Sequence, residues 1–168
     1  MRNKKIQMLT NTALMLALLI ILQLITKSFG QIVTGSCVNC VLAISCLLFG
    51  NFSAITIALI SPFLAYLFGI GPQFIQLTIC ISLGNLTYVL LISLLNKSKQ
   101  KWMKYFSIVI AALAKYLVLY LTVVKLVGPM ILNEKQLSVI AVSFGFTQFI
   151  TATIGGYLAL FTSKYIRR

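Results

Sequence analysis

One cation stands near the middle of an apolar stretch long enough to cross a bilayer. It is Lys115, in FSIVIAALAKYLVLYLTVVKLV, Phe106–Val127. Roughly 20 apolar residues at 1.5 Å rise per residue cover about 30 Å of hydrocarbon. An ammonium at that depth costs about 2.5–3.5 kcal/mol even on insertion scales. The usual remedy is a carboxylate on a neighbouring helix, but the one acidic residue, Glu134, falls outside every apolar run. Lys115 must therefore snorkel to the headgroups, lose its proton, bond neutral acceptors, or meet an anion that is not part of the protein.

For holding something, the apolar runs also offer Asn39, Gln76, Asn85, Tyr88, Tyr116, Tyr120 and Gln148. These residue types can hold a molecule but are poorly suited to transforming one. General acid–base catalysis prefers His or paired carboxylates, and the chain has no His and no second acid. Cys37 and Cys40 form a CVNC, and Cys46 and Cys80 are the remaining thiols. Without further ligands they read as small buried apolar groups and not as a metal or redox centre. There is no GxxxxGK[ST] for nucleotide hydrolysis, and no buried Asp or Glu to relay protons as in proton-coupled carriers. The expectation is a non-enzymatic binding subunit with no cofactor and no metal, dependent on energy supplied elsewhere.

The elements that position these groups follow from composition. The chain has 168 residues, 60% of them hydrophobic and only 9% charged, with a mean hydropathy of +1.03. A soluble domain of this length needs far more surface charge, so the expectation is a single integral membrane domain over residues 1–168. The net charge of +13 gathers at the ends of apolar runs, where it orients helices and meets anionic lipid. No basic stripe is interleaved with aromatics, which argues against nucleic acid. The first apolar run, Ile6–Ile25, is too long for a signal-peptide core and reads as a retained helix.

Six spans are predicted. Helix 1 covers about Ile6–Thr26, and a polar connection, Lys27–Ser36, is long enough to fold over a cavity as a lid. Helix 2, about Cys37–Phe49, is short. Helix 3, about Ala54–Phe68, contains Ser61-Pro62 and should kink. Helix 4, about Gln73–Leu95, carries Thr78, Ser82, Asn85 and Tyr88 on or beside one face, which must meet protein or a wet cavity. After the basic loop Asn96–Lys104, with Trp102 as an interfacial anchor, come helix 5 with Lys115 and helix 6, about Leu137–Thr162. Gly128-Pro129 is expected to close helix 5, and Met130–Gln136 to connect it to helix 6. Helix 6 holds Thr147, Gln148 and Thr151, with Ala152, Gly155, Gly156 and Ala159 for close contact.

Arg2, Lys4, Lys5, Lys97, Lys99, Lys101, Lys104, Lys164, Arg167 and Arg168 lie at one end of the predicted bundle, against Lys27, Lys125 and Lys135 at the other. The positive-inside rule then places both termini in the cytoplasm and the connections after helices 1, 3 and 5 outside.

In size, helix count and topology the chain resembles the S component, the substrate-binding membrane subunit, of energy-coupling factor (ECF) transporters. The resemblance spans nearly the whole chain. It rests on the small-residue stretch NTALMLAL with Ala13 and Ala17, the proline-containing helix 3, and the GxPxF-like break Gly71-Pro72-Gln73-Phe74. It implies uptake of a vitamin-like micronutrient across the bacterial cytoplasmic membrane, in the manner of an ABC transporter. Ala13 and Ala17 would dock helix 1 on a transmembrane coupling subunit beside two ATPase subunits. The loop after helix 1 would gate the substrate, helices 4, 5 and 6 would line its site, and the subunit would topple to release it inward.

The candidate substrate-binding residues are Lys115, Asn85, Tyr88, Gln148, Asn39, Gln76 and Tyr116. Metal-ion members of the family use an N-terminal His-containing segment, which is missing here, and a cationic vitamin suits Lys115 poorly. An anionic or acceptor-rich compound with a carboxylate or phosphate fits better; pantothenate, niacin and folate are family substrates of that kind. Pyridoxal is a separate reading, since a buried lysine can react with an aldehyde. The competing class is a structural or assembly subunit with no ligand, its polar face serving as interhelical glue. A lipid-modifying enzyme lacks catalytic groups.

Overall fold

The computed structural model describes residues 2–96 and 101–166, which form eight α-helices and no strand. The helices are α1 (Arg2–Thr26), α2 (Gln31–Ile44), α3 (Asn51–Leu67), α4 (Ile75–Leu95), α5 (Lys101–Leu119), α6 (Gly128–Ile131), α7 (Glu134–Phe144) and α8 (Phe146–Ile166). Wider π-helical turns extend α2 through Ser45–Phe49 and α5 through Tyr120–Val127. Five helical stretches are long and apolar enough to cross a membrane, and α3, at 17 residues, is a shorter apolar sixth. This is an all-α, multi-pass membrane protein. Of the basic residues used for orientation, Lys97, Lys99, Arg167 and Arg168 lie outside the described residues.

The bundle is apolar outside and small or polar inside. Leu9, Leu14, Ile25, Leu121 and Phe161 are exposed, whereas Ala43, Ala54, Ala58, Ala111, Ala112, Ala152 and Ala159 are buried with Ser45, Ser53 and Thr151. Lipid tails are as apolar as leucine, so helix association rests on close packing and interhelical hydrogen bonds, not on exclusion of apolar surface from water. The six long elements close a ring in the order α1, α3, α4, α5, α8, α2. The closest pairing is α2 with α8. There a Cβ on Gly155 would lie 2.5 Å from the Ser36 carbonyl oxygen and 2.7 Å from the Cys40 nitrogen, so only glycine admits this approach.

Several boundaries differ from the sequence expectation. The lid expected over Lys27–Ser36 is a single 3-10 turn, Lys27–Phe29, followed by Gly30 at φ 85°. That positive φ, open to glycine, reverses the chain sharply enough for α2 to begin at Gln31. The Thr34 hydroxyl donates to the Thr26 carbonyl at 2.8 Å, covering an acceptor that the end of α1 leaves free. Helix 2 is thereby lengthened to the 19 residues Gln31–Phe49.

Gly128-Pro129 does not end helix 5. Pro129 falls in the first turn of α6, where its missing N–H is not needed. Helix 6 begins earlier than expected and is broken. Asn133 and Gln136 form a reciprocal capping box that starts α7 at Glu134. Gly145, at φ −83° and ψ −137°, separates α7 from α8, and a Cβ there would collide with the Ala141 carbonyl.

Candidate functional site

Lys115 belongs to a stripe of α5 in which Ile108, Ala111, Ala112 and Leu119 are fully buried, so helical spacing turns it inward. It is 2% exposed and does not snorkel. Its Nζ donates to Asn39 Oδ1 on α2 at 2.6 Å and to Asn85 Oδ1 on α4 at 2.7 Å. It also stands 5.5 Å from the centre of the Tyr88 ring, within cation–π range. Of the routes open to a buried lysine, the fold uses neutral acceptors. Hydrogen bonds to a charged group contribute about 1.5–3 kcal/mol each, so two are of the same size as the about 2.5–3.5 kcal/mol insertion cost.

The acceptors are themselves held. Asn39 Nδ2 donates to Thr151 Oγ1 at 3.3 Å, and that hydroxyl donates to the Gln148 carbonyl at 3.3 Å. The Tyr88 hydroxyl donates to the Ala152 carbonyl at 2.7 Å. The network therefore ties α2, α4, α5 and α8 together around one ammonium. The polar face of α4 is wholly buried: Thr78, Ser82, Asn85 and Tyr88 are all at most 4% exposed. Ser82 donates both to the Thr78 carbonyl, one turn back, and to the Leu59 carbonyl of α3. Leu59 is adjacent to Ala58, whose carbonyl Pro62 leaves without an amide donor.

Lys115 borders a cavity of about 270 Å³. Asn39, Asn85 and Gln148 line it with Lys115, and Lys115 is the sole charged residue among the lining side chains. Ile70, Gly71 and Pro72 from the α3–α4 connection, and Val139, Ile140, Ser143 and Phe144 from α7, form the part nearest the loops. The Gln148 amide donates to the Ser143 carbonyl at 3.1 Å and bridges the break between α7 and α8.

The described helices thus line a cavity that has a single buried cation, Lys115, in its wall. The family model for "ECF transporter, substrate-specific component" matches residues 7–166. The chain belongs to that family. No curated protein and no solved structure matches it. Its general role is therefore that of a substrate-specific component of an ECF transporter.

Within this S component the candidate binding residues divide. Lys115, Asn39, Asn85 and Gln148 line the cavity. Tyr88 is fully buried behind Lys115 and does not line it. Gln76 is exposed at the start of α4. Tyr116 is half-buried in an aromatic cluster, 5.8 Å from Tyr120 and 6.3 Å from Phe146 between ring centres, and is absent from the lining. Ala13 and Ala17 are exposed on the outer face of α1.

Sequence reasoning passed over Gln23, Gln31, Thr34, Ser61 and Ser143, all of which line the cavity. Gln31 and Thr34 were hidden by the mistaken loop. Gln23 had a readable signal: it is a lone amide deep in an apolar helix, four residues beyond Leu19 on the inward stripe Met15, Leu19, Gln23, Thr26. All four thiols are free, and among the described residues no cluster of His, Cys, Asp or Glu could hold a metal.

Proposed function

We propose that this S component binds a compact, vitamin-like anion carrying a carboxylate or phosphate, with Lys115 holding the negative end. The observation that carries the reading is a buried ammonium, the single charge lining the cavity, supported only by neutral oxygens. Those oxygens orient the cation without cancelling its charge. An anion 4 Å away gains about 4 kcal/mol at an effective dielectric of 20, before desolvation. A cavity of about 270 Å³ has room for an acid of the size of niacin or a short-chain vitamin.

For the rest of the cycle we infer the course that the family resemblance implies. Both termini face the cytoplasm of a bacterial cell, and the compound is taken from outside past Gly71-Pro72 and α7. A transmembrane coupling subunit docks on the Ala13 and Ala17 face of α1, two ATPases drive the cycle, and the S component topples to release its cargo inward. The exposure of both alanines on an otherwise leucine- and isoleucine-rich face supports that docking.

One observation favours a second reading, a structural subunit without cargo. The two asparagine oxygens already satisfy Lys115 about as well as its burial requires. Mass spectrometry of small molecules retained after gentle purification separates the two. The expected result is an organic acid on the wild type that is lost from Lys115→Met. Equal retention by both proteins removes Lys115 from the site, and a chain that carries no small molecule but stays in a fixed complex supports the structural reading.

A further inference from the structure

Four buried side-chain atoms have no hydrogen-bond partner among the described residues: Gln23 Oε1, Ser36 Oγ, Ser61 Oγ and Asn96 Oδ1. Ser36 and Asn96 line no part of the cavity, but Gln23 and Ser61 both do. Gln23 is 9% exposed and Ser61 1%. They come from α1 and α3, helices that contribute nothing to the Lys115 network.

Other hydroxyls in these helices return to the carbonyl one turn back: Ser45 to Val41, Ser82 to Thr78, Thr12 to Met8. That bond is the cheap way to satisfy a hydroxyl in hydrocarbon. Ser61 makes no such bond, and Gln23 leaves its carbonyl oxygen unmatched although Thr26, one turn on, is bonded to Leu22. A buried polar group without a partner is costly enough to call for a specific explanation.

We propose that Gln23 and Ser61 form a second, neutral recognition point in the cavity, which takes a hydroxyl or amide N–H at the uncharged end of the cargo. The proposal rests on the reading of Lys115 as the anchor for the acid. It narrows the substrate class to a small acid that also carries a hydrogen-bond donor, as opposed to a plain alkyl or aryl acid. An amide oxygen and a hydroxyl can each accept from such a donor, and the hydroxyl can also donate to a hydroxyl of the cargo. An analogue lacking the group leaves both side chains unmatched, which is how polar pockets reject apolar look-alikes. Gln23 also lies on the helix whose other face exposes Ala13 and Ala17, so the filled site would touch α1 directly.

The test compares two probe acids, caproate and ε-hydroxycaproate, on the full chain purified in detergent, with dissociation constants read by calorimetry. The expected result is a preference for the hydroxy acid of about tenfold or more in the wild type. In Gln23→Leu and in Ser61→Ala the ratio of the two constants falls to about one. Lys115→Met loses both acids. Equal affinities in the wild type, or a preference that survives both Gln23→Leu and Ser61→Ala, overturns the neutral recognition point while leaving the acid anchor standing. Undiminished binding of both acids by Lys115→Met overturns the anchor, and with it the basis of this inference. Binding of neither acid by the wild type overturns both. Ser61→Ala removes a single atom, so its fold is safe even where Gln23→Leu perturbs α1.

Discussion

Two walls of one cavity treat their polar groups in opposite ways. On the wall built by α2, α4, α5 and α8, an ammonium, two asparagines and a threonine are bonded to one another, and the tyrosine behind them is bonded to the Ala152 carbonyl. On the wall built by α1 and α3, Gln23 and Ser61 have unmatched buried oxygens. Inside a membrane bundle, a matched network stabilises the fold whether or not a ligand arrives. An unmatched group stabilises nothing until something binds. The same chamber thus joins a wall that holds the helices together to one whose polar groups serve no visible structural purpose.

The largest effect on stability should come from Lys115→Met. It leaves Asn39 and Asn85 with buried oxygens facing a thioether, and each orphaned group costs about 1–3 kcal/mol. Unfolding in detergent should show a loss of several kcal/mol, and a loss under about 1 kcal/mol would mean the network contributes little. Asn85→Leu comes next, removing one of two charge-assisted bonds for a cost of about 1.5–3 kcal/mol.

Gln23→Leu should go the other way and be neutral or stabilising, by up to about 1–3 kcal/mol, because it removes a buried group that has no partner. Marked destabilisation would show that Gln23 is matched after all and erase the contrast between the walls. Gln76→Leu, on the exposed start of α4, should stay within about 0.5 kcal/mol and leave acid binding unchanged.

The division among the candidate residues is largely helical arithmetic. Gln76 and Asn85 sit nine positions apart on α4, about two and a half turns, so they point to opposite sides of the helix. Grouping them as polar residues of one span ignored that rotation. Tyr116 follows Lys115 directly and is turned by about 100° from it, toward Phe146 and away from the chamber. Asn39 and Gln148 could be nominated as intramembrane amides, yet nothing in their local sequence says that one accepts from Lys115 and the other bridges a helix break. The misread boundaries have a similar source. Gly30 and Gly145 each break the helical path with a backbone geometry that apolar periodicity does not record.

What the sequence determined by itself is the membrane, the number of spans, the family resemblance and the presence of one intramembrane cation with no internal counter-ion. Those follow from hydropathy summed over about 20 residues and from the near absence of acids, quantities that need no partner in space. Only the tertiary structure decided which neutral oxygens receive that cation and where α2 and α7 begin. It alone decided that Gln23 and Ser61 share the cavity with Lys115. Each of these is a pairing between residues far apart in the chain, set by the rotation and close approach of whole helices such as α2 against Gly155 of α8.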